Sequence, residues 1–279
     1  MKRLIINLSP TGMVPTKKMT PHVPESPAEI IKDVLKCTTL GVSMAHLHAR
    51  DANGAPTYKK EIYNEIITGI KEKNKDLVVV VSTSGRTFTE FWQRSDVLDL
   101  EGEVKPDMAS LTLSSLNFIK TASMNSPDMV IKLAEKMQGN GIKPELEVFD
   151  FGMVNFAHYL IKKEIIQPPY YFNILLGNIA TAQAKLLQLG LIISELPENS
   201  VWSIAGIGEC QCRMNAISIL EGGGVRVGLE DNIWYDEERT TLATNYALVE
   251  RLVKIATAIG RPIATPLEVR ELLKLRPPG

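Results

Sequence analysis

Residues 44–51 read Met44-Ala-His-Leu-His-Ala-Arg-Asp51, a short apolar run carrying two of the four histidines in the chain. Alternate side chains of a β-strand share a face, so as a strand this run projects His46 and His48 together. Seven other runs have the same length and character: Leu4–Leu8, Leu77–Ser82, Met108–Leu113, Glu145–Phe149, Tyr171–Leu176, Val201–Ile207 and Val225–Glu230. With Met44–His48 they predict eight strands. Amphipathic stretches follow most of them, among them Ser26–Thr39, Lys60–Lys73, Pro127–Gln138 and Thr181–Leu189, the alternation of repeated βα units. Eight such units with buried strands predict an α/β fold, a closed (β/α)8 TIM barrel rather than an open sheet. No Gly-rich dinucleotide fingerprint follows the first strand to support a Rossmann alternative.

Local signals punctuate the elements. Ser26-Pro-Ala-Glu29 is a capping box with proline at the first helical position, and Gly141 suits the left-handed cap that ends a helix. From Thr241 the sequence reads as a long helix, after which Pro262 and Pro266 set off a short final helix ending near Leu275. With no low-complexity linker, residues 1–279 are expected to form one barrel domain with a C-terminal helical extension.

The 279 residues are 44% hydrophobic and 23% charged, with a formal net charge of −1. That length suits a TIM barrel and buries enough surface to need no disulfide staple. The near-neutral balance predicts neither nucleic acid nor a membrane as partner, while a few placed arginines remain able to bind an anionic substrate. The three cysteines are an odd number, which suits a reducing compartment. Cys210 and Cys212 form a C-x-C with no second pair to complete a zinc knuckle, and are expected to be incidental. The apolar run at the N-terminus is too short for a secretory leader and no stretch approaches a transmembrane span, so the expected location is the cytoplasm.

In a barrel the inward face of residues 44–48 points to the interior, and its C-terminal end is where barrel enzymes carry their chemistry. A pair of imidazoles there needs a third ligand to hold a divalent metal. The last strand, Val225-Arg-Val-Gly-Leu-Glu230, supplies one: counting back by twos from Glu230 places Gly228 and Arg226 on the same face. The second and eighth strands of a closed barrel both flank the first, so His46, His48 and Glu230 can converge. Two histidines and a carboxylate leave coordination positions open, a catalytic pattern with zinc as the first expectation. The plainer reading of an H-x-H is a hydrogen-bonded pair without metal.

Five segments together resemble the β-keto acid cleavage enzyme family: Thr11-Gly12, His46-Leu-His-Ala-Arg-Asp51, Lys143-Pro-Glu-Leu-Glu-Val-Phe-Asp150, Gly222-Gly-Gly-Val-Arg-Val-Gly-Leu-Glu-Asp-Asn232 and Gly260-Arg-Pro-Ile-Ala-Thr-Pro-Leu-Glu-Val-Arg270. The resemblance implies a zinc-containing barrel that exchanges acyl groups between a β-keto acid and acetyl-CoA, giving acetoacetate and the CoA thioester of the remaining chain. Family ligand positions fall on His46, His48 and Glu230. Asp231 matches the family's base, with Arg226 placed to keep it ionised, and Glu147 or Glu145 matches a supporting acid. Ser82 and Gly85 match contacts to the substrate carboxylate, and Ser110 stands where a threonine hydroxyl is usual. The resemblance also implies a homotetramer.

Two departures stand out. The family meets an amino-substituted substrate with a glutamate two residues after Thr-Gly, where this chain has Val14. An apolar side chain cannot pair an ammonium, and burying that charge alone is costly, so the expected acyl group is uncharged and short. The loop Leu176-Gly-Asn-Ile-Ala180 lacks the family's glycine pair, which limits close backbone approach to CoA. Competing expectations are a zinc hydrolase or metal-dependent aldolase on the same barrel, or a barrel that only binds a metal or metabolite. A folded Val14→Glu variant is expected to gain turnover of amino-substituted β-keto acids, measured as acetoacetate release; no gain would remove position 14 from the substrate pocket.

Overall fold

A computed structural model describes residues 2–278 of the chain. Its centre is a closed barrel of parallel strands. These are β1 (Ile6–Leu8), β2 (Met44–Leu47), β3 (Val78–Val81), β4 (Met108–Thr112), β5 (Lys143–Val148), β6 (Tyr170–Leu176), β7 (Ser200–Gly206) and β8 (Gly224–Val227). Each strand pairs with the next, and β1 closes the ring by pairing Asn7 with both Met44 and Arg226. The TIM-barrel expectation and all eight strand positions hold. Around the barrel run α1 (Pro27–Thr38), α2 (Lys60–Lys71), α3 (Phe91–Ser95), α4 (Pro127–Gly139), α5 (Phe151–Lys162), α6 (Leu186–Ser194), α7 (Gln211–Leu220), α8 (Asn245–Ala258) and α9 (Pro266–Leu273). The expected capping box at Ser26 forms, with both reciprocal hydrogen bonds present, and a second forms at Thr265 and Glu268. Among the described residues no helix is long and apolar enough to cross a membrane.

The outward strand residues and the inner helix faces make one continuous core, for example Leu47, Val79, Leu111 and Phe172 against Ile66, Leu133 and Leu160. The barrel interior is different. Its lower layer is apolar, built from Ile5, Met44, Val78, Val80, Met108 and Tyr171, and α9 closes it from below with Val269 and Leu273. Above that layer the interior turns polar: Asn7, His46, Glu145, Asn173, Ser203 and Arg226 are all buried. The expected C-terminal helical extension is therefore the plug of the barrel floor. The cysteines are all free.

Several expected boundaries move, each for a local reason. The stretch Thr181–Leu189 is not one helix; α6 begins at Leu186. The Gln183 side chain donates to the carbonyls of Asn178 and Thr181, both at 2.8 Å, and Ala182 N–H donates to Phe149, so the chain is pinned in a loop across the barrel mouth. The helix expected from Thr241 starts at Asn245, where Thr244 caps it. The last strand stops at Val227 rather than Glu230, because Asp231 and Asn232 N–H groups both turn back to the Gly228 carbonyl.

The floor is held by a buried ion cluster. Arg270 of α9 donates to both oxygens of Asp107, at 2.8 and 2.7 Å, and Val79 N–H and Lys71 add to the same carboxylate. Burial works against that charge, but Arg270 and Lys71 win and hold the Asp107 carboxyl below its ordinary value. Removing one partner of a buried, doubly bonded pair costs about 3–5 kcal/mol, so Asp107→Asn is expected to lower unfolding stability by roughly that amount in denaturant titrations near neutral pH. A lowered folded pKa contributes stability that is present above the unfolded value and lost as pH falls through the folded one. The gap between wild type and variant should therefore shrink below about pH 4.

Candidate metal centre and active site

The polar mouth begins with Arg226 on β8. Its guanidinium is 1% exposed and meets three carboxylates: Nη1 to Glu147 at 3.1 Å, Nη2 to Glu230 at 2.8 Å, and Nε to Asp231 at 3.0 Å. Glu147 faces inward from β5 and also accepts from Thr112 Oγ1 at 2.6 Å. Glu145, two residues deeper on the same face, accepts from Asn7 at 2.7 Å and contacts His46 Nδ1 at 2.6 Å. Both acids face the interior, and their depth separates them: Glu145 holds the His46 ring, Glu147 holds Arg226.

That contact decides the state of His46. With Nδ1–H donated to Glu145, the Nε2 lone pair is left for another partner, the carboxylate–histidine arrangement common behind metal ligands. His46 Nε2 lies 3.3 Å from His48 Nε2, and His48 Nε2 lies 3.1 Å from Glu230. Glu230 Oε2 is buried with no hydrogen-bond donor. Three acceptor groups thus converge on one point, and His46, His48 and Glu230 offer ligand atoms all within 4.8 Å of one another. Arg226 meets Glu230 through Oε1 alone, so the donor-free Oε2 and the two imidazoles fit a divalent metal. A second group, His46 with Glu145 and Glu147, meets the same 4.8 Å limit, but both oxygens of each of its acids are already engaged.

Glu230 reaches this point by a route that strand parity does not describe. It stands past the end of β8, in the turn begun by Gly228, with its N–H on the Ser9 carbonyl at 3.2 Å. Asn245 at the start of α8 fixes that turn by accepting from Leu229 N–H at 2.8 Å and donating to the Pro10 carbonyl at 2.9 Å. From the β1 loop, Gly12 presses on Glu230: a Cβ there would lie 2.4 Å from Glu230 Cγ, and its φ of 63° is left-handed. The Thr11-Gly12 pair is therefore the backstop of Glu230. Asn245 was not anticipated, since a helix-start asparagine looks like an ordinary cap until the fold shows what it bridges.

Asp231 is 6% exposed and sits between Arg226 and Ser9, whose hydroxyl donates at 3.1 Å. Burial raises its carboxyl above the ordinary value, Arg226 opposes this, and the neighbouring Glu230 charge adds to it. Glu230 goes the other way: burial works against its charge, but Arg226 and the two histidines hold it well below the usual range. Two adjacent carboxylates are thus driven apart, one firmly ionised and one readier to take a proton.

The remaining expected residues are spread around the mouth. Ser82 directly follows β3 and accepts from Ser84 N–H at 3.2 Å. Ser110 lies below it, its hydroxyl accepting from Thr83 N–H at 3.1 Å, so it braces the Ser82–Gly85 turn. Gly85 is a close-approach glycine: a Cβ would meet the Met124 carbonyl at 2.3 Å. A cavity of about 20 Å3 is lined by Met13, His48, Tyr58, Ser82, Phe88 and Arg94, among others. Val14 follows Met13 and is 49% exposed at the rim. Cys210 and Cys212 contribute to neither metal-binding group.

Residues 3–275 match the family described as beta-keto acid cleavage enzyme. The chain is 37% identical over 274 residues to the 3-keto-5-aminohexanoate cleavage enzyme of Acetoanaerobium sticklandii, covering 98% of both chains. It is 32% identical to the 3-oxoadipate:acetyl-CoA acetyltransferase of Cupriavidus necator, covering 97% of this chain and 94% of that one. Among solved structures, the apo structure of ObcA superposes with a TM-score of 0.79 at 20% identity, covering 91% of this chain and 66% of that longer chain.

Replacing Glu145 by Gln is expected to leave the barrel folded while releasing the His46 ring. Loss of such a supporting partner costs about 10- to 100-fold in metal affinity, readable by competition with a chelator. An unchanged affinity would mean that Glu145 does not orient a ligand.

Proposed function

The chain belongs to the beta-keto acid cleavage enzyme family, and on that premise we propose that it exchanges the acyl group of a short, uncharged β-keto acid for the acetyl group of acetyl-CoA. The observation that carries the reading is the convergence of His46, His48 and Glu230 beside the Arg226–Asp231 pair, together with relatives whose names include a keto-acid cleavage enzyme and an acetyl-CoA acetyltransferase. Zinc is the proposed ion, held by those three residues, and when bound it supplies Lewis-acid polarisation of a substrate carbonyl.

The protein's own groups then have separate tasks. Asp231 Oδ takes a proton from the methylene between ketone and carboxylate, which is acidic because both neighbours withdraw charge. The resulting carbanion attacks the thioester carbon of acetyl-CoA; a C–C bond forms, the C–S bond breaks, and CoA leaves as thiolate. That thiolate adds to the original ketone carbon, the older C–C bond breaks, and acyl-CoA departs. The carbon left behind takes its proton back from Asp231, which completes acetoacetate. Arg226 holds Asp231 in place throughout, through Nε and Nη2 on its two oxygens. Glu147 steadies the far edge of the guanidinium. Ser82 and the Gly85 backbone are proposed to meet the substrate carboxylate, with Ser110 bracing their turn.

Position 14 and the small cavity bear on the acyl group. Position 14 carries a half-exposed valine rather than an acid, and the cavity beside His48 is lined in part by Met13, Tyr58 and Phe88. Both features favour an uncharged substituent.

Acetoacetate is itself a β-keto acid, so the exchange has a degenerate form: carbon-13 acetyl groups should pass from acetyl-CoA into acetoacetate, followed by nuclear magnetic resonance. Wild-type protein loaded with zinc is expected to show this transfer. Asp231→Asn, which keeps shape and loses the base, should slow it about 10²- to 10⁴-fold with metal content unchanged. Zinc-loaded wild type that neither transfers label nor releases acetoacetate from any β-keto acid would move the reading to a hydrolase or an aldolase.

A further inference from the structure

The acids of the site, Glu145, Glu147, Glu230 and Asp231, surround one guanidinium, that of Arg226. Even a divalent cation leaves this group negative in sum, yet the proposed substrate is itself an anion. Some cation near the mouth must offset that repulsion. Among the described residues, other arginines around the mouth are committed. Arg50 donates to the carbonyls of Gly12, Pro15 and Gly54. Arg94 donates to the carbonyls of Thr83 and Met124 and to Asn125.

Arg86, directly after Gly85, is different. Its guanidinium lies over the Phe118 ring, 3.4 Å from the ring centroid. Its Nε is buried with no hydrogen-bond partner among the described residues. The platform beneath it is rigid. Phe118 N–H donates to Thr121 at 2.8 Å, and the ring packs edge-on against Phe149 at 5.8 Å. The Asn178 side chain donates to the neighbouring Asn117 carbonyl at 3.0 Å. Burial weakens Arg86's hold on its proton, and the charges of Glu230, Asp231 and Glu147 pull the other way. The guanidinium therefore lies within the field of the site while remaining unpaired.

We infer that Arg86 is the carboxylate clamp of this site, its stacked guanidinium taking the carboxylate of the β-keto acid at the edge of the Ser82–Gly85 turn. The inference rests on the acyl-exchange reading for the identity of the anion. Stacking occupies the face of the guanidinium and leaves its edge donors free, in the fork that matches a carboxylate bidentately. Ser82 and the Gly85 backbone can donate hydrogen bonds but carry no charge; Arg86 adds it.

The test uses zinc-loaded wild type, Arg86→Gln and Arg86→Lys, with acetoacetate as the probe. Binding is read by calorimetry, and exchange by transfer of label from acetyl-CoA. Arg86→Gln is expected to lower the melting temperature only slightly, because the side chain it replaces makes no hydrogen bond among the described residues and gives up only its stacking on Phe118. Its Kd and KM for acetoacetate should rise about 10- to 100-fold, the loss expected for a charge-assisted pair, with KM for acetyl-CoA unchanged. Arg86→Lys should recover part of the loss, since a point charge keeps the attraction without the fork. An unchanged Kd for acetoacetate overturns the clamp. A rise confined to the KM for acetyl-CoA also overturns it, and assigns the guanidinium to the phosphates of CoA. Wild type that binds acetoacetate through Arg86 but transfers no label leaves the clamp standing and removes the acyl-exchange reading instead. Wild type that binds no acetoacetate overturns the clamp.

Discussion

Arg226 contacts Glu147, Glu230 and Asp231 from a position 1% exposed to solvent, at distances of 2.8 to 3.1 Å. Three carboxylates gathered this closely in a low-dielectric interior would repel one another and take up protons; the guanidinium keeps them together. It does so with directed bonds, each of its three nitrogens meeting an acid, so it sets orientation as well as charge. The geometry of the proposed metal site depends on it, because the Glu230 oxygen that contacts Arg226 also faces His48. The proposed base, Asp231, depends on it as well, since it is gripped through both oxygens. A lysine at this position would supply one charge and lose the planar fork.

Around that interaction the acids are graded by depth. Glu145 is fully buried and turned to His46, Asn7 and Asn173, where it sets which nitrogen of His46 is free. Glu147, one step higher on β5, steadies Arg226. Glu230 and Asp231 occupy the turn above β8. The layering follows from the two-residue repeat of a strand, which stacks side chains of one face along the barrel axis. The polar layer rests on an apolar floor sealed by α9, and Asp107–Arg270 anchors that seal at the opposite end of the barrel from the chemistry. The ion cluster that seals the floor is thus separate from the one around Arg226.

The eight-strand barrel was legible because each strand is a buried run with helices between, and burial on both faces leaves its mark on local sequence. His46 and His48 were legible from alternation alone. Glu230 was found by the same counting rule, but that rule assumed a strand, and the structure puts Glu230 in a turn. The residue arrives beside His46 and His48 because Gly12, Ser9 and Asn245 hold that turn, Gly12 and Ser9 from the far end of the chain. The start of α6 was misplaced because Gln183 binding back to Asn178 and Thr181 makes a loop out of residues whose local pattern suits a helix.

The sequence by itself determined the architecture, the inward parity of His46, His48, Arg226, Glu145 and Glu147, and the absence of an acid at position 14. Those properties are written in the period and identity of neighbouring residues. Only the tertiary structure decided that Glu145 and not Glu147 supports His46, that Ser110 braces a turn, and that Arg86 lies unpaired on Phe118. Such assignments depend on which side chain reaches which atom across the barrel, and a distance of a few ångströms between residues a hundred positions apart has no local trace in the chain.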